Sequence, residues 1–488
     1  MSKLENHFNK FRENTIGING SFQSPYGEKK ILYADWVASG RLYRTIEEKI
    51  IKDFGPFVAN THTETSETGK RMTQAYHYAQ KMIKKHVNAG AEDVIISAGY
   101  GMTAVINKLQ RILGIKVPKE YYNKCEIDEN DRPVVFITHM EHHSNHTPWY
   151  ETIADLVQIE PDENLLVNPD NLEKELQKYK NRKFKIGSFT ACSNVTGIRT
   201  PYHELAKIMH KNGGLCFVDF AASAPYDHIN MHPDDPMEKL DAIFFSPHKF
   251  LGGPGSSGIM IFDSEMYNRD APDNPGGGTV DWTNPWGEYK YVDNIEARED
   301  GGTPGFLQTI KAALAIDLKE KMGVENIEAR EKELLQIAFR EFESIKGVNL
   351  LAGNTKDRLG VISFYAEDIH YNLFVQLLND HFGIQVRGGC ACAGTYGHYL
   401  LHVDRETSRN ITEMINRGDL SQKPGWVRLS LHPTMTDEEL YYIINAIQEV
   451  RTNYQKWKED YEYSSSTNEF NHKTQIKDNS FLLDWFSI

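Results

Sequence analysis

From about residue 90 onward, short runs of β-branched and aromatic residues alternate with amphipathic helical stretches. Nothing else in the chain limits its fold so tightly, because strands that recur with a helix between them are the sequence form of a mostly parallel sheet with crossover helices. The expected strands are Asp93-Val-Ile-Ile-Ser, Pro133-Val-Val-Phe-Ile-Thr, Lys185-Ile-Gly-Ser-Phe-Thr, Leu215-Cys-Phe-Val-Asp, Ala242-Ile-Phe-Phe-Ser and Gly258-Ile-Met-Ile-Phe, with helices such as Thr103 to Leu113 and His203 to Lys211 between them. The class is α/β. The stretch from Ala271 to Thr303, rich in Gly, Pro, Asn and Trp, reads as irregular loops. Beyond it, helices are expected at Leu307 to Met322, Glu325 to Ile345, from His370, and at Thr436 to Trp457. Strands are expected at Val361 to Tyr365, Ile384 to Val386 and Trp426 to Leu431, which together describe a smaller α+β unit. The division drawn from these patterns is a large unit over 30–305, a small unit of 1–29 plus 306–463, and a tail over 464–488. The polar run from Ser464 to Lys477 is expected to be loosely held.

A chain of 488 residues, about 40% of them hydrophobic and 25% charged, can bury a large core. Its net charge of −14 argues against general electrostatic binding to nucleic acid or anionic membranes, so any anion must be gripped locally. No signal-peptide pattern opens the sequence and no run of about 18 apolar residues occurs, so the expectation is a cytoplasmic protein. Cys125, Cys192, Cys216, Cys390 and Cys392 are too scattered for a disulfide framework and read as free thiols.

Four segments carry chemistry. In Phe244-Phe-Ser-Pro-His-Lys-Phe-Leu-Gly-Gly-Pro-Gly, a lone Lys249 follows a buried strand among small residues that admit a bulky ligand. It is either a solvated loop lysine or an amine for covalent chemistry, with Ser246 and His248 free to bond a phosphate beside it. In Val94-Ile-Ile-Ser-Ala-Gly-Tyr-Gly-Met-Thr-Ala, a strand runs through two glycines into a helix. The helix start at Gly101, Met102 and Thr103 then offers N–H groups to a dianion. Asp219 ends a strand before Ala221, Ala222 and Ser223. It is either a helix N-cap or the partner of a protonated pyridine nitrogen. In His139-Met-Glu-His-His-Ser-Asn-His-Thr-Pro-Trp, four histidines raise the question of metal. Pro148 and the loop setting break the helical spacing a zinc site needs, so no metal is expected, and one imidazole stacked on an aromatic cofactor is the better use.

Taken together these residues resemble the class V aminotransferases, and within them the group II cysteine desulfurases and selenocysteine lyases. The likeness runs from Tyr33-Ala-Asp-Trp-Val-Ala-Ser to Val427-Arg-Leu-Ser-Leu. It is most specific in Met140-Glu-His-His-Ser-Asn and in Ser246-x-His-Lys, with Asp219 between them. The resemblance implies the fold type I of pyridoxal-phosphate-dependent transferases, with a large domain on a mostly parallel sheet of the seven-stranded type and a smaller α+β domain. It implies pyridoxal 5'-phosphate bound as a Schiff base to Lys249, with His142 stacked on the ring, Asn194 on its phenolic oxygen, and Asp219 on its ring nitrogen. Gly101, Met102, Thr103, Ser246 and His248 are implied around the phosphate, and Thr279 reaches a phosphate across a homodimer interface. Arg428, with Ala38 and Asn145, is implied beside the substrate. In Arg387-Gly-Gly-Cys-Ala-Cys the spacing of the family loop puts Cys392 on the persulfide-forming position, with Cys390 a rival nucleophile or resolving thiol.

The sequence also departs from the pattern. Ala222 stands where the family has Gln, and the loop between Cys392 and Arg428 is longer, with a helix expected near Thr407 to Arg417. The expected activity is therefore removal of sulfur from L-cysteine through Cys392, with a sulfur-acceptor protein as partner. An aminotransferase, epimerase or carbon–sulfur lyase on the same framework is the alternative. A metal-dependent hydrolase or a non-catalytic scaffold is more remote.

Overall fold

The computed structural model describes residues 2–61, 63–124, 126–474 and 479–488. Cys125 and Lys477 therefore lie outside the described residues. The large unit is built on seven strands, β1 (Asp93–Ala98), β2 (Val134–Thr138), β3 (Asp155–Ile159), β4 (Lys185–Thr190), β5 (Leu215–Asp219), β6 (Ala242–Phe245) and β7 (Gly258–Asp263), in the order β1-β7-β6-β5-β4-β2-β3. From β6 through to β3 every neighbouring pair is parallel, and β7 alone runs against both β6 and β1. Six strands thus point one way and end on one edge of the sheet. Helices cover both faces, so strands such as Val134–Thr138 are buried at every residue, which is why they read as continuous apolar runs. Strand β3 is missing from the sequence-based set because Asp155–Ile159 is only half-buried at the sheet margin and its run is short.

The small unit carries a four-stranded antiparallel sheet of β8 (Asn349–Leu350), β9 (Val361–Tyr365), β10 (Arg387–Gly389) and β11 (Trp426–Ser430), ordered β8-β9-β11-β10. The helix Tyr371–Phe382 packs on it, and the helix Asp437–Trp457 packs against that helix. Local signals fix their ends. Thr436 and Glu439 form a reciprocal capping box, and Gly383 closes the other helix in the left-handed conformation at φ 72°.

Several contacts cross the division drawn at 30 and 305. Leu32–Tyr33 pair in parallel with Ile384–Gln385 of the small unit, and the helix Phe306–Met322 packs on the helix Glu67–His86 of the large one. The stretch 271–303 is less irregular than expected, because Val280–Thr283 and Tyr289–Tyr291 form a hairpin and Ile295–Arg298 a short helix. The tail also differs from expectation over its described part. Tyr461–Ser464 and Glu469–His472 form a hairpin held on the helix Tyr371–Phe382. There the buried Tyr461 hydroxyl donates to Asp380 Oδ2 at 2.7 Å and Asn468 Nδ2 to the Tyr371 hydroxyl at 2.7 Å. A few of its polar groups, Asn468 above all, make buried hydrogen bonds while the rest stay in solvent, which composition alone does not reveal. Among the described residues no helix is long and apolar enough to cross a membrane.

Because Asp380 is wholly buried, Tyr461→Phe is expected to lower the unfolding free energy by about 1–3 kcal/mol, read from urea denaturation. A variant with an unchanged midpoint would mean the hairpin adds nothing to the fold.

Candidate active site

The carboxyl ends of β1, β2, β4, β5 and β6 open onto a cleft of about 770 Å³, closed on its far side by segments of the small unit. Such an edge is where a parallel sheet leaves room for a ligand. The turn Pro247–Lys249 follows β6 directly and aims Lys249 into the cleft. It is held tightly from behind. The Gly40 N–H donates to the His248 carbonyl at 2.9 Å, and a side chain on Gly40 or Gly253 would overlap the backbone of this turn. Burial drives the Lys249 amine down to about 8, against the pull of the Asp219 carboxylate. Asp219, at the end of β5, is itself pushed up to about 6 by burial, against a hydrogen bond from the Ala221 N–H to Oδ1 at 2.8 Å.

The helix Met102–Ile112 starts at the same edge, after Gly99 turns the chain at φ 58°. The Met102 N–H donates to Ser246 Oγ at 2.9 Å, tying the helix start to the lysine turn. A Cβ at Gly101 would lie 3.0 Å from that oxygen, so glycine keeps the cradle open. Thr103 and Ser144 share a hydrogen bond at 2.6 Å, and His248 lines the same corner, driven down to about 4 first by burial and then by the Lys249 charge. A neutral corner of hydroxyls and N–H groups at a helix start suits an anion.

The four histidines go to different places. His139 is buried with Nε2 on the Leu165 carbonyl, and His146 reaches the Tyr150 hydroxyl. His142 lines the cleft, held through Nδ1 by the Ser144 N–H at 3.1 Å, and burial followed by the Lys249 charge drives it down to about 3. His143 turns toward the loop that carries Cys392. Among the described residues no group of three or more His, Cys, Asp or Glu side chains is placed to hold a metal ion.

Opposite the lysine, Arg428 is buried on β11. Its Nη2 donates to Asp35 Oδ1 at 2.7 Å and its Nη1 to the Asn194 carbonyl at 3.3 Å, while Nε is buried without a partner. Arg387 Nε lies 3.2 Å from Asp35 Oδ2, so one carboxylate serves two guanidiniums. Asn194 donates from Nδ2 to the Ala391 carbonyl at 2.7 Å and leaves Oδ1 buried and unpaired. Unpaired buried polar atoms are costly, and these two border the cleft.

Of the residues singled out in the sequence, Ala38, Gly101, Met102, Thr103, His142, Asn194, Asp219, Ser246, His248, Lys249 and Arg428 line the cleft together. Three do not. Asn145, expected beside the substrate, is wholly buried behind it. Its amide is used up on Glu141, Ser188 and Trp149, so it supports the sheet edge and has no group left for a ligand. Thr279 is buried in its own loop on Gly276. Cys392 is exposed at the rim beside Ala391, which does line the cleft, and Cys390 is half-buried two residues before it. Asp35, Ser144 and Arg387 are site residues that reasoning from the sequence passed over. Asp35 and Arg387 stood inside segments already singled out, but only the fold shows that one faces the other.

A family model described as aminotransferase class-V matches residues 32–443. A probable cysteine desulfurase of Halalkalibacterium halodurans is 28% identical over 371 residues, which cover 74% of this chain and 84% of the relative. One from Staphylococcus epidermidis is 29% identical over 370 residues, covering 75% and 84%. Among solved structures, an apo cysteine desulfurase from Thermococcus onnurineus NA1 superposes with a TM-score of 0.72 at 22% identity, over 91% of this chain and 98% of that one. A cysteine desulfurase from Escherichia coli gives 0.70 at 19% identity, with the same coverage. At these identities the structures speak to the fold, which is the expected fold type I arrangement.

With its amine near 8, Lys249 is expected to react with a small aldehyde and borohydride with a midpoint near pH 8, mapped by peptide mass spectrometry. Asp219→Asn removes the charge that raises this amine, so its midpoint shifts to lower pH. A midpoint near that of an ordinary lysine, about 10.4, would contradict the burial argument.

Proposed function

The chain belongs to the class-V aminotransferase family, and from that premise we propose that it is a pyridoxal-phosphate-dependent cysteine desulfurase, which converts L-cysteine to L-alanine and leaves a persulfide on Cys392. The observation that carries this is the convergence, in one cleft, of a lysine driven to about 8, a buried carboxylate and a buried guanidinium, with an exposed thiol on the loop at its rim. The residues present fit the cofactor. The cradle at Gly101 and Ser246 suits its phosphate, Asp219 its ring nitrogen, His142 its ring face, and the unpaired Asn194 Oδ1, an acceptor, the hydroxyl at its phenolic edge. When bound, pyridoxal phosphate supplies an electron sink for the carbanion at the amino acid's α-carbon.

The protein's own groups do the rest. Lys249, easily neutral at its lowered pKa, takes the α-proton and returns a proton later in the cycle. Asp219 stays ionised above about pH 6 and so can hold a positive ring nitrogen at neutral pH. Arg428 offers Nε and the outer edge of Nη2 to the substrate carboxylate, with Ala38 as a small wall beside it. The Cys392 thiolate attacks the sulfur of cysteine. The Cβ–S bond breaks with its electron pair left on carbon, a proton is taken up there, and alanine departs while the sulfur stays on Cys392. Exposure of Cys392 at the rim leaves the persulfide open to a thiol on an acceptor protein. Thr279, outside this cleft, is wholly buried with its hydroxyl hydrogen spent on the Gly276 carbonyl, so it would reach the phosphate of a second copy in a homodimer only if its loop opened there. The exposed Trp282, Trp286 and Tyr289 on the following hairpin supply an apolar surface for that contact.

Purified with pyridoxal phosphate, the protein is expected to be yellow and to release alanine from L-cysteine. Lys249→Ala is expected to lose the lysine-linked absorbance and at least about a hundredfold in rate. Cys392→Ser keeps the colour and loses alanine release, whereas Cys390→Ser retains it. A yellow protein indifferent to cysteine would move the function to transamination, epimerisation or carbon–sulfur lysis by the same cleft.

A further inference from the structure

The loop that carries Cys392 has an unusual backbone. Ala391 and Cys392 sit in succession in the left-handed region, at φ 49° and 57°, a conformation that side chains disfavour and that lasts only where neighbours enforce it. The turn closes on itself, the Ala393 N–H donating to the Cys390 carbonyl at 3.0 Å, and three hydrogen bonds to other segments hold it in place. Asn194 Nδ2 donates to the Ala391 carbonyl at 2.7 Å, the His143 N–H donates to the Cys392 carbonyl at 2.8 Å, and the Gly394 N–H donates to His143 Nε2 at 3.1 Å. Two of the three belong to one residue. His143 grips the chain at two successive points just after the thiol-bearing carbon, its backbone N–H on the Cys392 carbonyl and its ring on the Gly394 N–H. The ring can accept from Gly394 only as the neutral tautomer with its proton on Nδ1, and burial, with the Lys423 charge behind it, lowers its pKa and favours the neutral ring. Its chain neighbour His142 faces the cleft, so a dipeptide fixed to β2 bears on the cleft with one ring and on the thiol loop with the other.

We infer that His143 is a positioning residue that sets where the Cys392 thiol stands relative to the cleft, by holding the 391–394 turn through its backbone N–H and its ring Nε2. The inference rests on the desulfurase reading for its consequence in turnover, though not for its geometry. A thiol displaced by about an ångström from its line of attack loses rate without loss of substrate binding. Truncating the ring should therefore lower kcat and spare KM. A glutamine, whose side-chain oxygen reaches about as far and accepts from an N–H, should restore the grip.

The test uses the full chain loaded with pyridoxal phosphate, as wild type, His143→Ala and His143→Gln. Each is measured for alanine release from L-cysteine, hydrogen exchange of the peptide spanning 390–396, and the rate at which iodoacetamide alkylates Cys392. Expected for His143→Ala are a fall in kcat of about tenfold to a hundredfold, KM within about twofold of wild type, and faster exchange and an altered alkylation rate at the loop. His143→Gln is expected to recover most of each. An alanine variant with wild-type kcat, or a glutamine variant no better than the alanine one, overturns the assignment. Should the wild type release no alanine, the desulfurase reading fails by itself. His143 is then judged on exchange and alkylation, and equal rates in wild type and His143→Ala overturn it.

Discussion

Everything in the cleft depends on the parallel hydrogen bonding that runs from β6 to β3. Parallel pairing buried on both faces forces every crossover to return the chain to the same starting edge, and so delivers the ends of successive strands to the opposite one. The ends of β2, β4, β5 and β6 therefore meet although some 100 residues separate His142 from Lys249 in the chain. The antiparallel β7 lets β1 join the edge in the same direction, which brings the helix start at Met102 against Ser246. Close packing then sharpens the arrangement. Gly40 and Gly253 let two stretches of backbone touch the lysine turn, so the position of Lys249 is fixed by main chain and not by the packing of its own side chain.

That same enclosure sets the electrostatics. Burial acts on both members of the Lys249 and Asp219 pair against their charged forms, and their mutual attraction only partly offsets it. The result is an amine and a carboxylate that both titrate closer to neutrality than in water, a useful state for groups proposed to move and hold protons. His142 and His248 are likewise driven away from their charged forms, mainly by burial, so neither imidazole adds positive charge beside the lysine and the anion-holding role passes to backbone N–H groups and hydroxyls.

Much of this was legible in the residues. Strand runs such as Val134–Thr138 and Ala242–Phe245 are so uniformly apolar that only a doubly covered sheet suits them, and the chemistry-bearing residues follow them at once. What the sequence hid are relations between distant segments. Asn145 stands in the most specific motif, yet its amide is consumed by Glu141, Ser188 and Trp149, because a motif records a position and not a direction. The C-terminal hairpin was hidden for a different reason. Its Tyr461 and Asn468 look solvated until Asp380 and Tyr371, some 80 to 100 positions earlier, are seen to take their hydrogen bonds. Likewise the histidine run raised the question of a shared metal site, and the spacing that argued against it fits rings that each leave the short loop after β2 in their own direction.

The Asp35 carboxylate explains why so cationic a corner is tolerated without a bound anion. Arg428 is buried, and an unpaired guanidinium there would carry a large desolvation cost. Asp35 meets that need, yet it serves Arg387 as well, so the three groups together keep one positive charge. The corner is thus satisfied enough to fold and still short of one negative charge, which a substrate carboxylate can supply. Arg428 cannot offer both terminal nitrogens end-on, since Nη1 is on the Asn194 carbonyl and Nη2 is shared with Asp35. A carboxylate must come to its Nε side, where the buried unpaired donor lies, and that requirement fixes the side from which an amino acid can enter.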